Sequence, residues 1–177
     1  MKIAVLGAGG QLGQVMAQRA ARAHQVTTWT RTELDITRPD ALRAALTAAA
    51  PDAVINCAAF ARVDEAEDAP VEAFAANALA LRDLARLSQD LGFTLTHYST
   101  DFVFDGVHIE PHRETDPPNP SGVYATSKLV GEWFAAEAPR HFVLRVESLF
   151  GGAGAKSSVD VLLSGLRAGR EVRAFAD

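Results

Sequence analysis

The 177-residue chain predicts a doubly wound α/β fold built on a parallel sheet. Three observations point there. Short apolar runs alternate with longer stretches of helical period, the runs are apolar enough for burial on both faces, and the first run breaks directly into a glycine-rich turn.

Taken in order, Ile3 to Leu6 read as the first strand, and residues 11 to 22 as a helix behind the glycine turn. Val26 to Trp29 form the second strand, and residues 38 to 50 a helix opened by Thr37 with Asp40 in a capping-box pattern. Ala53 to Asn56 are the third strand. A long helix then runs from Pro70, at its first turn, to Leu91, with Gly92 as the stop signal. Phe93 to Tyr98 follow as the fourth strand. Between Asp105 and Gly122 the chain spends Pro111, Pro117, Pro118 and Pro120 without strand or helix period, which predicts a long functional loop on the substrate side. Helices over 122 to 137 and 157 to 167 flank a fifth strand, Phe142 to Val146, and Val172 to Phe175 read as a sixth. Asp177 comes directly after that run, so the expectation is one nucleotide-binding domain over 1–177, a fragment of a longer chain.

Composition narrows the function classes. With 48% hydrophobic and 22% charged residues the chain belongs with globular proteins, not disordered or fibrous ones. A net charge of -5 without a basic run predicts no nucleic-acid partner. The apolar runs are too short for a membrane span or a signal-peptide core. Cys57 is the single cysteine, which excludes an internal disulfide and predicts a reducing compartment, the cytoplasm. No Cys/His spacing predicts a metal. A homodimer stays open.

Doubly wound sheets bind ligands beyond the carboxyl ends of their strands, so the chemistry is sought there. After the first strand, Gly7 permits a tight turn, Gly10 lets the backbone approach a pyrophosphate, and Gly13 allows close helix packing. Gln11 and Leu12 complete this dinucleotide cradle at the helix start. After the second strand no acid stands where a ribose hydroxyl partner is usual, and Arg31 suits a 2′-phosphate, favouring NADPH. Glu33 nearby keeps NADH open. Asp35 and Ile36 are expected at the adenine. Cys57, Ala58 and Ala59 close the third strand on small residues that leave room for the cofactor, and Cys57 reads as a core thiol, not a nucleophile.

The catalytic expectation rests on Tyr124 and Lys128, four apart and so on one helix face, where an ammonium is expected to lower the phenol's pKa. Lysine is otherwise used only at Lys2 and Lys156, so Lys128 is not routine surface charge. Thr100, at the end of the fourth strand, is placed to hydrogen-bond a substrate oxygen. Three weaker patterns are set aside. Gly151 to Ser157 imitates a phosphate loop but has Phe150 and Ala155 at the two required glycine positions. His108 and His112 lie four apart in a proline-rich loop and not on a helix, and Asp64, Glu65, Glu67 and Asp68 read as a solvated helix start.

In order and setting these motifs resemble the extended short-chain dehydrogenase/reductase superfamily, and within it most closely the dTDP-4-dehydrorhamnose reductase family. The likeness spans residues 1 to 177. It rests on Gly7 to Gly13, Asn56-Cys57-Ala58-Ala59, Val63-Asp64-Glu65-Ala66-Glu67, Ser99-Thr100-Asp101-Phe102-Val103-Phe104-Asp105-Gly106 and Tyr124-x-x-x-Lys128-x-x-Gly131-Glu132. The resemblance implies a Rossmann-type fold, NADPH or NADH as cofactor, a nucleotide-linked 4-keto sugar as substrate, and Thr100, Tyr124 and Lys128 as the catalytic set. It also implies that Lys128 holds the nicotinamide ribose. Two departures stand out: Arg145 is followed by Val146-Glu147-Ser148 where the family usually has Thr-Ser-Trp, and the family continues past the position of Asp177 into a smaller substrate lobe. A sugar-nucleotide epimerase and a non-catalytic regulatory subunit on the same frame remain alternatives. A dehydratase does not fit, because Asp101 is followed by Phe102 where that relative carries Glu.

Overall fold

The computed structural model describes residues 1–107, 110–152 and 157–173. Its centre is a five-stranded, all-parallel sheet in the order β2-β1-β3-β4-β5. The strands are β1 (Lys2–Leu6), β2 (Gln25–Trp29), β3 (Ala53–Asn56), β4 (Thr94–Thr100) and β5 (His141–Val146). The helices are α1 (Gln11–Ala20), α2 (Pro39–Ala49), α3 (Glu65–Asp68), α4 (Pro70–Phe74), α5 (Ala80–Leu91), α6 (Gly122–Ala135) and α7 (Ser158–Arg167). The Rossmann-like α/β class predicted from strand and helix alternation is the class observed.

From β1 the chain steps outward one way to β2 and the other way to β3, so the switch point of the sheet lies between β1 and β3. Ligand crevices form at such points. The carboxyl ends there carry Gly7 and Cys57, side by side through the register of Leu6 with Asn56. The core behind them is aliphatic: Leu6, Leu42, Leu46, Val54, Leu81, Leu84 and Leu95 are fully buried.

Several element boundaries depart from the sequence expectation. Thr37 does not cap α2; its backbone N–H and hydroxyl both donate to Asp35, and Arg38 is the residue before the helix. A short-range turn on the Asp35 carboxylate has outcompeted the cap. The helix from Pro70 to Leu91 is not uniform: Ala75–Leu79 form a π-helical segment between α4 and α5. Gly92 does end it, in the left-handed conformation at φ 76°. Glu67 is more than a solvated acid, since its Oε1 accepts the Val123 N–H at 2.7 Å and caps α6 from another element. Val172 and Arg173 take no strand conformation, while Ala174 and Phe175, the rest of the expected sixth strand, lie outside the described residues. His108 and residues 153–156 of the phosphate-loop imitation also lie outside them. No helix among the described residues is long and apolar enough to cross a membrane.

Candidate active site

Gly7 leaves β1 at φ 76°, and a Cβ there would lie 2.6 Å from the Ala58 nitrogen. A side chain at Gly13 would meet the Gly7 carbonyl at 2.2 Å. Both positions therefore demand glycine, one for the turn against β3 and one for the approach of α1. The result is a cavity of about 540 Å³ at the switch point. Gly7, Gly9 and Gly10 line it together with Arg31, Asp35 and Ile36 and with Cys57, Ala58 and Ala59, which lie beside Gly7.

Most of the predicted cofactor set thus lines one space, and five members do not: Tyr124 and Lys128, also expected at the cofactor, and three from the turn and helix start. Gln11 turns its amide to the Leu149 and Gly151 carbonyls beyond β5, Gly13 is buried as a packing residue, and Leu12 does not line the cavity. Gly9, Thr30 and Thr32 line it without having been expected. Glu33 is engaged, its carboxylate accepting both the backbone N–H and the hydroxyl of Thr30, which holds it below its ordinary pKa. Asp35 is held low in the same way by the backbone and hydroxyl of Thr37, with Arg31 and Arg38 adding to the effect. Arg38 is thus a second cation beside this end of the cavity. Burial pushes the Cys57 thiol up to about 12, which fits a packed thiol and not a nucleophile.

A second cavity, about 650 Å³, opens at the same carboxyl edge and is lined by Asp101, Phe102, Phe104, Tyr124, Ala125 and Glu67 among others. Thr100 closes β4 beside it: its hydroxyl donates to Asp101 and accepts the Phe102 N–H, capping the 3-10 turn Asp101–Val103. The Phe102 ring meets the Tyr124 ring edge-on, with centroids 6.1 Å apart.

Two expectations for the catalytic pair need correcting. The Tyr124 phenol is raised, not lowered: burial dominates, the Thr100 hydroxyl works against it, and the Asp101 charge adds to the rise. Lys128 does share a helix with Tyr124, but its side-chain nitrogen runs down to the sheet and donates to the Tyr98 carbonyl at 2.6 Å. It is 2% exposed and lines neither cavity. Burial lowers its pKa to about 8, with Glu132 opposing. Taken out of water, an amino group on this face is satisfied by the nearest backbone acceptor and not by a phenol one turn away.

Asn77, which the sequence did not single out, holds the site together. Buried in the π segment, it accepts the Phe60 N–H, donates to the Phe60 carbonyl and donates to Ser127, whose hydroxyl donates in turn to the Tyr124 carbonyl. One side chain thus ties the cavity-lining strand exit to the helix that bears Tyr124. Neither hydropathy nor spacing marks such a residue. Arg145 forms a two-pronged ion pair with Glu132 and lies over the Phe104 ring, which stacks on His112.

Comparison with known proteins agrees with this geometry. A dTDP-4-dehydrorhamnose reductase of Burkholderia thailandensis is 43% identical over 137 residues, covering 77% of this chain and 46% of that protein. A probable dTDP-4,6-dihydroxy-2-methyloxan-3-one 4-ketoreductase of Streptomyces antibioticus is 37% identical and covers 100% of this chain and 61% of its own. Among solved structures, the dTDP-4-dehydrorhamnose reductase of Bacillus anthracis in complex with NADP superposes with TM-score 0.88 at 30% identity, over 94% of this chain and 60% of that one. The chain spans about half the length of the curated relatives it matches. The family described as RmlD substrate binding domain matches residues 1–177, and the chain belongs to it.

Proposed function

We propose that this chain is the nucleotide-binding part of an NAD(P)H-dependent reductase acting on a nucleotide-linked 4-keto sugar, with Tyr124 as the proton donor. One observation carries the reading: the Thr100 hydroxyl acts on the phenol of Tyr124, and Tyr124 lines a cavity on the same sheet edge as the glycine-walled one. The fit to a dinucleotide rests on walls without side chains at Gly7, Gly9 and Gly10, and on the small residues Ala58 and Ala59 beside them. In this reading the turn from Gly7 to Gly10 and the backbone N–H groups of Gln11 and Leu12 at the start of α1 cradle the pyrophosphate, Asp35 and Ile36 receive the adenine, and Arg31 with Arg38 suit a 2′-phosphate. NADPH is therefore favoured over NADH.

When bound, the reduced nicotinamide supplies a hydride to the ketone carbon. The chain's own residues do the rest. Thr100 orients the ketone oxygen, and Tyr124, kept protonated at neutral pH by its burial, gives up its phenolic proton as charge develops on that oxygen. Lys128 acts from behind, through its bond to the strand that carries Thr100. The relatives named as a dTDP-4-dehydrorhamnose reductase and a probable 4-ketoreductase support a 4-keto sugar as the substrate class. The single, half-buried Cys57 supports a reducing compartment, the cytoplasm.

The test uses a longer chain carrying both halves of such a reductase. Tyr124→Phe should cut sugar-dependent NADPH oxidation by about 10²–10⁴-fold while leaving NADPH binding in place. Undiminished turnover would refute the assignment, and product formation without net NADPH oxidation would point to epimerisation instead.

A further inference from the structure

A line of polar groups runs from the glycine-lined cavity to Lys128 through Asn56 and His97, two buried residues that the proposed reaction does not use. The Ala58 N–H donates to Asn56 Oδ1 at 3.2 Å, Asn56 Nδ2 lies 3.3 Å from His97 Nδ1, and His97 Nε2 lies 3.5 Å from Lys128 Nζ. Lys128 then donates to the Tyr98 carbonyl. Asn56 is 1% exposed, His97 0% and Lys128 2%. Water does not reach these side chains, so each donor has to find its acceptor within the line.

That requirement gives the line a direction. Asn56 spends its oxygen on the Ala58 N–H and so presents its N–H group to His97. The ring must then be bare at Nδ1, and burial keeps it neutral, with its proton on Nε2. The Nε2–H points at the Lys128 nitrogen, which can accept it only as an unprotonated amine. An ammonium at the same place would set donor against donor. Charging Lys128 therefore asks the ring to move its proton to Nδ1 and Asn56 to turn its amide over, which releases the Ala58 N–H.

We propose that Asn56 and His97 are positioning residues that couple the proton on Lys128 to the Ala58 amide in the wall of the glycine-lined cavity. Ala58 is the group packed against Gly7, so its amide is where the state of the buried lysine is felt by the cofactor turn. For its use in catalysis this rests on the reductase reading; the coupling itself does not. The charged groups around Lys128 are few. Glu132 on its own helix favours the ammonium but is shared with Arg145 from β5, and His97 faces it from β4. Asp101 and Glu67 act at the other end of α6, on Tyr124 and on the Val123 N–H, and Asn77 from the π segment is neutral.

Nitrogen-15 and carbon-13 NMR on the chain without cofactor tests the coupling, because three lysines and five histidines leave few signals to assign. Lys128 should titrate near pH 8. Well above that pH His97 should be the Nε2–H tautomer, well below it the Nδ1–H tautomer, and the Ala58 amide should shift with the same midpoint. In Lys128→Met both transitions should vanish. A His97 that keeps one tautomer while Lys128 titrates, or an Ala58 amide that does not follow, overturns the proposal. Because no cofactor or ketone is present, this outcome is independent of whether the longer chain reduces a sugar.

Discussion

Lys128 shows at the residue scale how a motif can name the right residue and misstate its contact. The i, i+4 spacing brings Lys128 and Tyr124 onto one helix, but burial sends the lysine nitrogen to the Tyr98 carbonyl. The phenol's own burial then governs it. Cys57 permits a sharp residue-scale test. With its pKa raised to about 12, the folded chain should resist alkylation by iodoacetamide at neutral pH, whereas denaturant should expose one fast-reacting thiol. Fast labelling of the folded chain would mean that the thiol is not packed as described. At the rim, Arg31→Ala should weaken NADPH binding by about 1.5–3 kcal/mol and leave NADH nearly unchanged, as loss of a charge-assisted bond to a phosphate requires. Equal losses for both cofactors, read by titration, would place the 2′-phosphate elsewhere.

The element that decides the site is the contact between the π segment and α6. A Cβ at Gly131 would lie 2.0 Å from the Asn77 carbonyl, so the helices meet backbone to backbone at that point. The extra residue in the helical turn puts the Asn77 side chain within reach of Phe60 and its carbonyl against Gly131. Gly131→Ala should cost about 1–3 kcal/mol or more in urea melts, since backbone cannot give way as a side chain can. Asn77→Ala should cost about 1–3 kcal/mol for each Phe60 backbone group left buried without a partner. It should also weaken cofactor binding, because Phe60 lines the cavity. If Asn77→Ala melted like the parent, water would be satisfying Phe60 and the tie would be dispensable.

For the whole molecule, the buried Lys128 and the half-buried Cys57 should bend the stability curve at alkaline pH. Lys128 has its pKa lowered from 10.5 to about 8 in the fold, so between those values the unfolded chain binds the proton and the folded chain does not. Stability then rises with pH, by about 3 kcal/mol in all from this group. Cys57 has the opposite sign. Its pKa goes up from 9.0 to about 12, so above pH 9 only the unfolded chain gains a thiolate and stability falls. Urea melts should show a gain from pH 8 to 9, a levelling, and a loss beyond about 10.5 to which the raised Tyr98 and Tyr124 phenols add. In Lys128→Met the early gain should disappear. Its persistence would mean that the ammonium is not buried.

The amino-acid order by itself determined the strand and helix alternation, the glycine turn and the residues that end each strand, because these follow from local periodicity and from backbone conformations that only glycine tolerates. It placed Gly7, Gly10, Arg31, Asp35, Ile36, Cys57, Ala58 and Ala59 around one cavity and set Thr100 beside Tyr124. Tertiary structure decided the rest. Where Lys128 points, why Gln11 faces the segment after β5, how Glu67 caps a helix it does not belong to, and what Asn77 holds all depend on partners between 17 and 140 residues away. Burial then chose among them: once water is gone, a polar group bonds to whichever acceptor packing brings near, and no spacing along the chain encodes which one that is.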